Sequence, residues 1–276
     1  MIIRRKDKPI LRRCTVKFQD KVVFITGGAR GLGKAMAKAF LDEGARVAVN
    51  ARNKESLAKF SEEFKTSPVL AFDVDVTDYE GMENVLKTVV DRWGKVDILV
   101  NNAGIVNPLS PAEKIKKETF DQVIDINLKG VFYATQIFGQ KMIEQGHGRI
   151  INISSQIGLF GEKGFLPYAV TKNAVAVMAR SLAQEWSRYG VTLCAVAPGF
   201  IAGGMNEGAI RKEALLDYLS KRAPLNRMGK VEELVATVLF LASPKAQFIN
   251  GETIVMDGGM TGYIQQPFLD MITKGK

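Results

Sequence analysis

Short runs of β-branched and aliphatic residues alternate along the chain with longer segments in which apolar residues recur every third or fourth position. The short runs predict strands at Val22–Thr26, Arg46–Asn50, Val69–Phe72, Ile98–Val100, Gly148–Ile153, Thr192–Ala197 and Thr253–Met256. Several are apolar at every position, as strands covered on both faces are. The longer segments predict helices over Gly33–Glu43, Lys54–Lys65, Tyr79–Trp93, Lys117–Glu144, Pro167–Tyr189 and Val231–Leu241, with a shorter helical piece near Ile210–Lys221. Strand and helix in alternation build right-handed crossover units, hence an α/β fold with one parallel sheet and helices on both faces. No internal repeat or linker interrupts this order. The one long irregular stretch, Gly199–Gly229, has the length of a lid.

Composition narrows the class. The chain has 276 residues, 46% hydrophobic and 24% charged, which excludes a disordered or low-complexity protein. No apolar run reaches the roughly 18–20 residues of a membrane span. The formal charge of +9 is unevenly placed, since residues 1–21 hold eight basic side chains and two acids. This pattern predicts a solvated basic arm, 1–20, a folded body, 21–260, with the lid at about 200–229, and a tail, 261–276. The basic start is not followed by the apolar core of a secretory signal. A nucleic-acid arm would place aromatic residues between its charges, and only Phe18 is there. Neither nucleic acid nor membrane is therefore expected as a partner. Two cysteines, Cys14 and Cys194, make no disulfide framework and fit a reducing, cytoplasmic compartment. His147 is the only histidine, so no His/Cys metal site is expected, and a Ser-His-Asp triad would have to use it.

The first predicted strand runs into Thr26-Gly27-Gly28-Ala29-Arg30-Gly31-Leu32-Gly33, and a helix follows at once. Glycines let a ligand phosphate approach the backbone, and the helix start offers unpaired N–H groups. Strand, glycine turn and helix together form a dinucleotide site. The spacing is Gly-x3-Gly-x-Gly, and Met36 stands where the commoner fingerprint has Gly or Ala. An acid at the end of the second strand would bond the ribose diol of NAD. Here Asn50-Ala51-Arg52-Asn53 has no acid, and Arg52 and Arg30 suit a 2′-phosphate, so NADP(H) is expected. The alternative is that both arginines are solvated surface residues and either cofactor is accepted.

Tyr168 and Lys172 are four apart on a predicted helix and share one face. A phenol has a pKa near 10, and a neighbouring ammonium is expected to pull it down toward working pH. Ser155 ends a strand 13 residues before Tyr168, where ligands bind in such sheets.

These pieces, with Asp75-Val76, Asn101-Asn102-Ala103-Gly104, Asn127, Pro198-Gly199 and Asp257-Gly258-Gly259, occur in the order and spacing of the short-chain dehydrogenase/reductase family, which Phe18–Gly259 resembles. The resemblance implies a single-domain Rossmann-like fold with a seven-stranded parallel sheet. It implies an enzyme that moves a hydride between nicotinamide and a carbonyl or secondary alcohol. Tyr168 resembles the proton donor and acceptor, and Lys172 the residue that lowers the tyrosine pKa and bonds the nicotinamide ribose. Ser155 resembles the group that polarises the carbonyl, with Ser154 as the alternative. Asn127 resembles an asparagine that kinks its helix and anchors a proton-relaying water. The implied cofactor contacts are Gly27, Arg30, Gly31, Leu32 and Gly33 of the turn; Asn50 and Arg52; Asp75 and Val76 at the adenine; Asn102, Ala103 and Gly104; Tyr168 and Lys172; and Pro198, Gly199 and Ile201 over the nicotinamide. For Asn101 a structural role in tying strands is equally open. Gly203 departs from the family's usual Thr, and with Gly204 it makes a credible hinge.

A cofactor-binding sensor or scaffold without catalysis is the alternative of another class, and the intact Asn127, Ser155, Tyr168 and Lys172 favour the enzyme. The substrate stays open. Phe165–Lys172 and Arg222–Gly229 resemble 3-oxoacyl-carrier-protein reductases, whereas Lys221–Pro224, Phe248–Gly251 and Gly262–Ile264 resemble gluconate 5-dehydrogenase-like enzymes. A homotetramer is expected, with the helices over Lys117–Glu144 and Pro167–Tyr189 paired across subunits and Val175, Val177, Met178 and Leu182 adding apolar surface.

Overall fold

The computed structural model describes residues 18–206 and 213–262. Seven strands form one parallel sheet: β1 Val22–Thr26, β2 Arg46–Ala51, β3 Val69–Asp73, β4 Ile98–Asn101, β5 Gly148–Ile153, β6 Val191–Pro198 and β7 Thr253–Met256. Their order is β3-β2-β1-β4-β5-β6-β7. The chain therefore steps outward from β1 to β3, then crosses back to β4 on the other side of β1. That reversal opens a crevice at the strand C-termini between β1 and β4.

The helices between the strands are α1 Gly31–Asp42, α2 Lys54–Glu63, α3 Tyr79–Trp93, α4 Lys117–Ile124, α5 Gly130–Gln145, α6 Gln156–Phe160, α7 Leu166–Trp186, α8 Glu213–Lys221 and α9 Val231–Ala242. Alternation along β1 shows how the sheet divides its core. Val23 and Ile25 join Met36, Phe40 and Leu234 on one face, and Val22 and Phe24 join Val85, Val89 and Phe138 on the other. Phe24 stacks on Phe138 with ring centroids 4.3 Å apart. Each such side chain stabilises the fold by about 1.5–3 kcal/mol on burial.

Three departures from the sequence pattern have physical causes. The long helix expected over Lys117–Glu144 is broken at Asp125–Lys129 into a π-helical turn, where Gly130 N–H reaches Asp125 C=O. A short helix, α6, forms directly after Ser155, whose hydroxyl caps it by accepting from Ile157 N–H at 3.2 Å. Phe18, counted with the basic arm, is buried against Phe40 with ring centroids 4.9 Å apart, so the body begins before residue 21. Residues 1–17, most of the arm, lie outside the described residues, as do 263–276 of the tail and 207–212 of the lid. The two ends of the lid stretch are joined: Ile201 bridges Gly229, with Ala202 N–H on Gly229 C=O at 2.8 Å.

His147 lies at the opposite end of the sheet from the crevice. Its Nε2 is 3.1 Å from Asp97, which also takes Lys21, Lys95 and the Val22 N–H. Burial opposes ionisation of Asp97, but these partners outweigh it and hold its pKa below the usual value. The sole histidine is thus a tie across the start of β1, β4 and β5, and no serine triad uses it. Arg149 does similar work inside the body. Its guanidinium, itself depressed in pKa by burial, donates to the carbonyls of Leu241 and Ile249 and to Cys194 Sγ, fixing β5 to the end of α9.

Candidate active site

The crevice holds a groove of about 660 Å³. Gly27, Arg30, Gly31, Leu32, Gly33, Asn50, Arg52, Asp75, Val76, Asn102, Ala103 and Gly104 all line it. Two features of the glycine turn shape its floor. Gly31 adopts a positive φ of 53°, and a Cβ on Gly33 would lie 2.4 Å from Gly27 O and 2.7 Å from Asn102 Nδ2. Only glycine lets α1 start this close to the turn. Arg30 at the N-cap makes no side-chain cap, so the first N–H groups of α1 are left for a ligand.

Two of the expected contacts hold the groove together. Asn50 accepts from Gly27 N–H at 3.3 Å and donates to Val74 C=O at 2.9 Å, joining the turn to the ends of β2 and β3. Asn102 Nδ2 donates to Thr26 and Gly27 carbonyls, and Thr26 Oγ1 accepts from Asn102 and Ala103 N–H. Asn101 donates to Thr135 and Asn152 and so ties β4 to α5 and β5. Arg52 is half exposed and its Nη1 lies 3.3 Å from Asp75 Oδ2. Pro198 ends β6, and Gly199 and Ile201 follow it outside the groove lining.

Asn53, Ser56, Ile105, Ile126, Gly204 and Met205 line the groove without having been expected there. For Asn53 and Ser56 a signal existed, since Asn53 caps α2 by accepting from Ser56 N–H at 2.7 Å. Gly204 and Met205 reach the groove because the chain that follows β6 passes over the glycine turn. A Cβ on Gly204 would be 3.0 Å from Leu32 Cγ, and one on Gly31 3.3 Å from Gly204 Cα. This contact is invisible along the sequence.

Asn127, Ser155, Tyr168 and Lys172 converge beside Gly104. Asn127 sits in the π turn, fully buried, and its amide holds both backbone groups of Ile105, at 2.8 and 2.7 Å. A Cβ on Gly104 would be 3.3 Å from Asn127 Oδ1 and 3.4 Å from Lys172 Nζ. Lys172 is buried and donates to Ile153 C=O at 2.7 Å. Ser155 hydrogen-bonds the phenol of Tyr168. Ser154 instead donates to Lys172 C=O at 2.5 Å, so the two adjacent hydroxyls have different tasks.

The pKa order differs from the expected one. Burial pushes the Tyr168 phenol up, and the Ser155 hydrogen bond offsets this only in part. Lys172 lies 5.7 Å from the ring centroid, and burial brings its own pKa down to about 8. The ammonium was expected to lower the phenol. Desolvation acts on both groups and decides both directions. Among the described residues no three His, Cys, Asp or Glu side chains gather as a metal site.

A family model described as enoyl-(acyl carrier protein) reductase matches residues 27–261. Gluconate 5-dehydrogenase of Gluconobacter oxydans (strain 621H) is 36% identical over 239 residues, 86% of this chain and 93% of that one. The 3-oxoacyl-[acyl-carrier-protein] reductase of Thermotoga maritima is 39% identical over 247 residues, 89% of this chain and 99% of that one. The crystal structure of a gluconate 5-dehydrogenase from Burkholderia cenocepacia J2315 in complex with NADP and tartrate superposes with a TM-score of 0.85 at 33% identity, covering 91% of this chain and 98% of that one.

Proposed function

Since the chain belongs to the short-chain dehydrogenase/reductase family and is an oxidoreductase of CH–OH and keto groups, we propose that it reduces ketones with NADP(H), using Tyr168 as the acid. The observation that carries this chemistry is the buried Lys172, whose Nζ lies 5.7 Å from the centre of the Tyr168 ring, with Ser155 just past the end of β5 acting on the same phenol. The groove suits a dinucleotide in volume, in the glycine turn and in the uncapped start of α1. Gly27, Arg30, Gly31, Leu32 and Gly33 would hold the pyrophosphate, and Asp75 and Val76 the adenine. When bound, the reduced cofactor supplies the hydride.

The chain's own residues do the rest. Ser155 and Tyr168 donate hydrogen bonds to the substrate oxygen, and Tyr168 passes its proton there as negative charge develops. Asn127 fixes Ile105 and the wall at Gly104. A phenol raised in pKa keeps its proton at neutral pH and so has one to give in the reducing direction. Oxidation would need the phenolate. An NADPH-oxidation screen over neutral ketones, sugar acids and a 3-oxoacyl thioester tests this, and no turnover with any of them would defeat it.

NADP(H) preference is supported by Arg52 in the groove with no acid at positions 50–53. The unmutated enzyme should favour NADPH over NADH by at least about tenfold in kcat/KM, about 1.4 kcal/mol. Arg52→Ala should remove most of that preference and leave NADH turnover nearly unchanged. Equal use of both cofactors before mutation would refute it.

A cytoplasmic homotetramer belongs to the same proposal. Among the described residues no helix is long and apolar enough to cross a membrane. Val175 packs inside the body, but Phe120, Phe132, Val170 and Val177 leave apolar side chains exposed on α4, α5 and α7. Sedimentation at micromolar concentration should give four chains, and a stable monomer would count against it.

A further inference from the structure

Between Ser155 and Tyr168 the chain leaves α6 and passes Glu162 before α7 begins. Glu162 pairs with Arg222, the residue after α8 in the lid, at 2.5 Å. The side chains are only 21% and 14% exposed. The guanidinium rests against Phe200 and Tyr218, 5.6 and 5.9 Å from the ring centroids. Its Nε is buried and has no acceptor among the described residues. Glu162 is therefore the anion that balances a charge largely withdrawn from water, and a guanidinium so placed is costly without one.

Lys163 and Lys221, next to the pair in the chain, are exposed, and Leu109, Phe160 and Leu166 are large hydrophobics left exposed on the segments that follow β4 and β5. Gly164, two residues past Glu162, faces Leu109, and Asn107 Nδ2 holds the Gly164 carbonyl at 3.0 Å. Phe165 lies 6.4 Å from the Tyr168 ring. The chain between Ser155 and Tyr168 thus carries hydrocarbon and the anion that already balances Arg222, which itself rests against Phe200 just past the end of β6.

We propose that Glu162 sets the substrate class: by occupying Arg222 it denies a carboxylate or phosphate its cation, and the site takes neutral, apolar ketones. This rests on the ketone reduction proposed above. The exclusion works by leaving a competing anion without the withdrawn guanidinium as its partner, one of the two routes by which a site discriminates.

A matched pair tests it: methyl 4-oxopentanoate, neutral, against 4-oxopentanoate, its anion, with NADPH. The unmutated enzyme should favour the ester by at least about tenfold in kcat/KM. Glu162→Gln frees the guanidinium and should shrink that ratio by about tenfold or more through a gain on the acid. The double variant Glu162→Gln with Arg222→Met removes both charges and should show no gain on the acid. Equal turnover of ester and acid by the unmutated enzyme overturns the proposal without touching the reductase reading. So does a gain on the acid shared by both variants, which would point to a loosened lid. No turnover of any ketone would overturn the reductase reading and this proposal together.

Discussion

Tyr168→Phe should lower kcat for ketone reduction by about a hundredfold or more, the range for a general acid. The substitution keeps the ring and its packing near Phe165, and it removes only the group that Ser155 hydrogen-bonds. As hydride arrives, the substrate oxygen becomes an alkoxide that needs a proton. Ser155 can donate a hydrogen bond to it, but a serine hydroxyl is far too weak an acid to complete the transfer near pH 7. Cofactor affinity, read by NADPH fluorescence, should change little, because phenylalanine keeps the ring and only one hydroxyl is lost. A variant with near-normal turnover would show that another group supplies the proton.

Lys172→Met should lose activity on a similar scale, about a hundredfold in kcat/KM, and bind NADPH more weakly. It should keep or gain thermal stability. The ammonium is buried, it donates to the neutral carbonyl of Ile153, and burial has already brought its pKa down to about 8. Replacing such a charge with a thioether of similar length relieves a desolvation cost. A residue kept for structure would behave in the opposite way.

The pH profile separates the two groups. Below about pH 8 Lys172 carries its proton, and above it the ammonium is lost. Tyr168, pushed up by burial, remains protonated across that range. The kcat/KM for reduction, which reports the free enzyme, should be level near neutrality and fall about tenfold per unit above pH 8. In Lys172→Met that fall should shift to the more alkaline pH at which the phenol ionises. An unchanged profile in the variant would remove Lys172 from the proton chemistry.

Much of this was legible along the chain. The strands at Val22–Thr26, Gly148–Ile153 and Thr253–Met256 and the helix Tyr79–Trp93 stand where their patterns predicted. A strand apolar at every position has few options but the middle of a layered sheet. The glycine turn was readable because positive φ and close approach admit few other residues. Tyr168 and Lys172 were readable because four residues make one helical turn.

Other features were hidden because no local pattern encodes them. Asn127 looked like a poor helix former. The family resemblance implied a kink there, but only the fold reveals that the kink is a π turn and that the Asn127 amide takes both backbone groups of Ile105. Ser154 and Ser155 are equivalent as letters, yet one hydroxyl faces the Lys172 carbonyl and the other the phenol. Val175 read as outer surface and is core.

The sequence by itself determined the layered α/β fold, the glycine turn and the helical spacing that sets Tyr168 and Lys172 on one face. Those follow from hydrophobic period, backbone sterics and spacing, which act over a few residues. Tertiary structure alone decided that the lid rests on Gly31 and Leu32, that Glu162 meets Arg222, and that the phenol is raised in pKa instead of lowered. Each depends on how much water is excluded and which distant segment excludes it, and those are properties of packing that no short stretch of chain possesses.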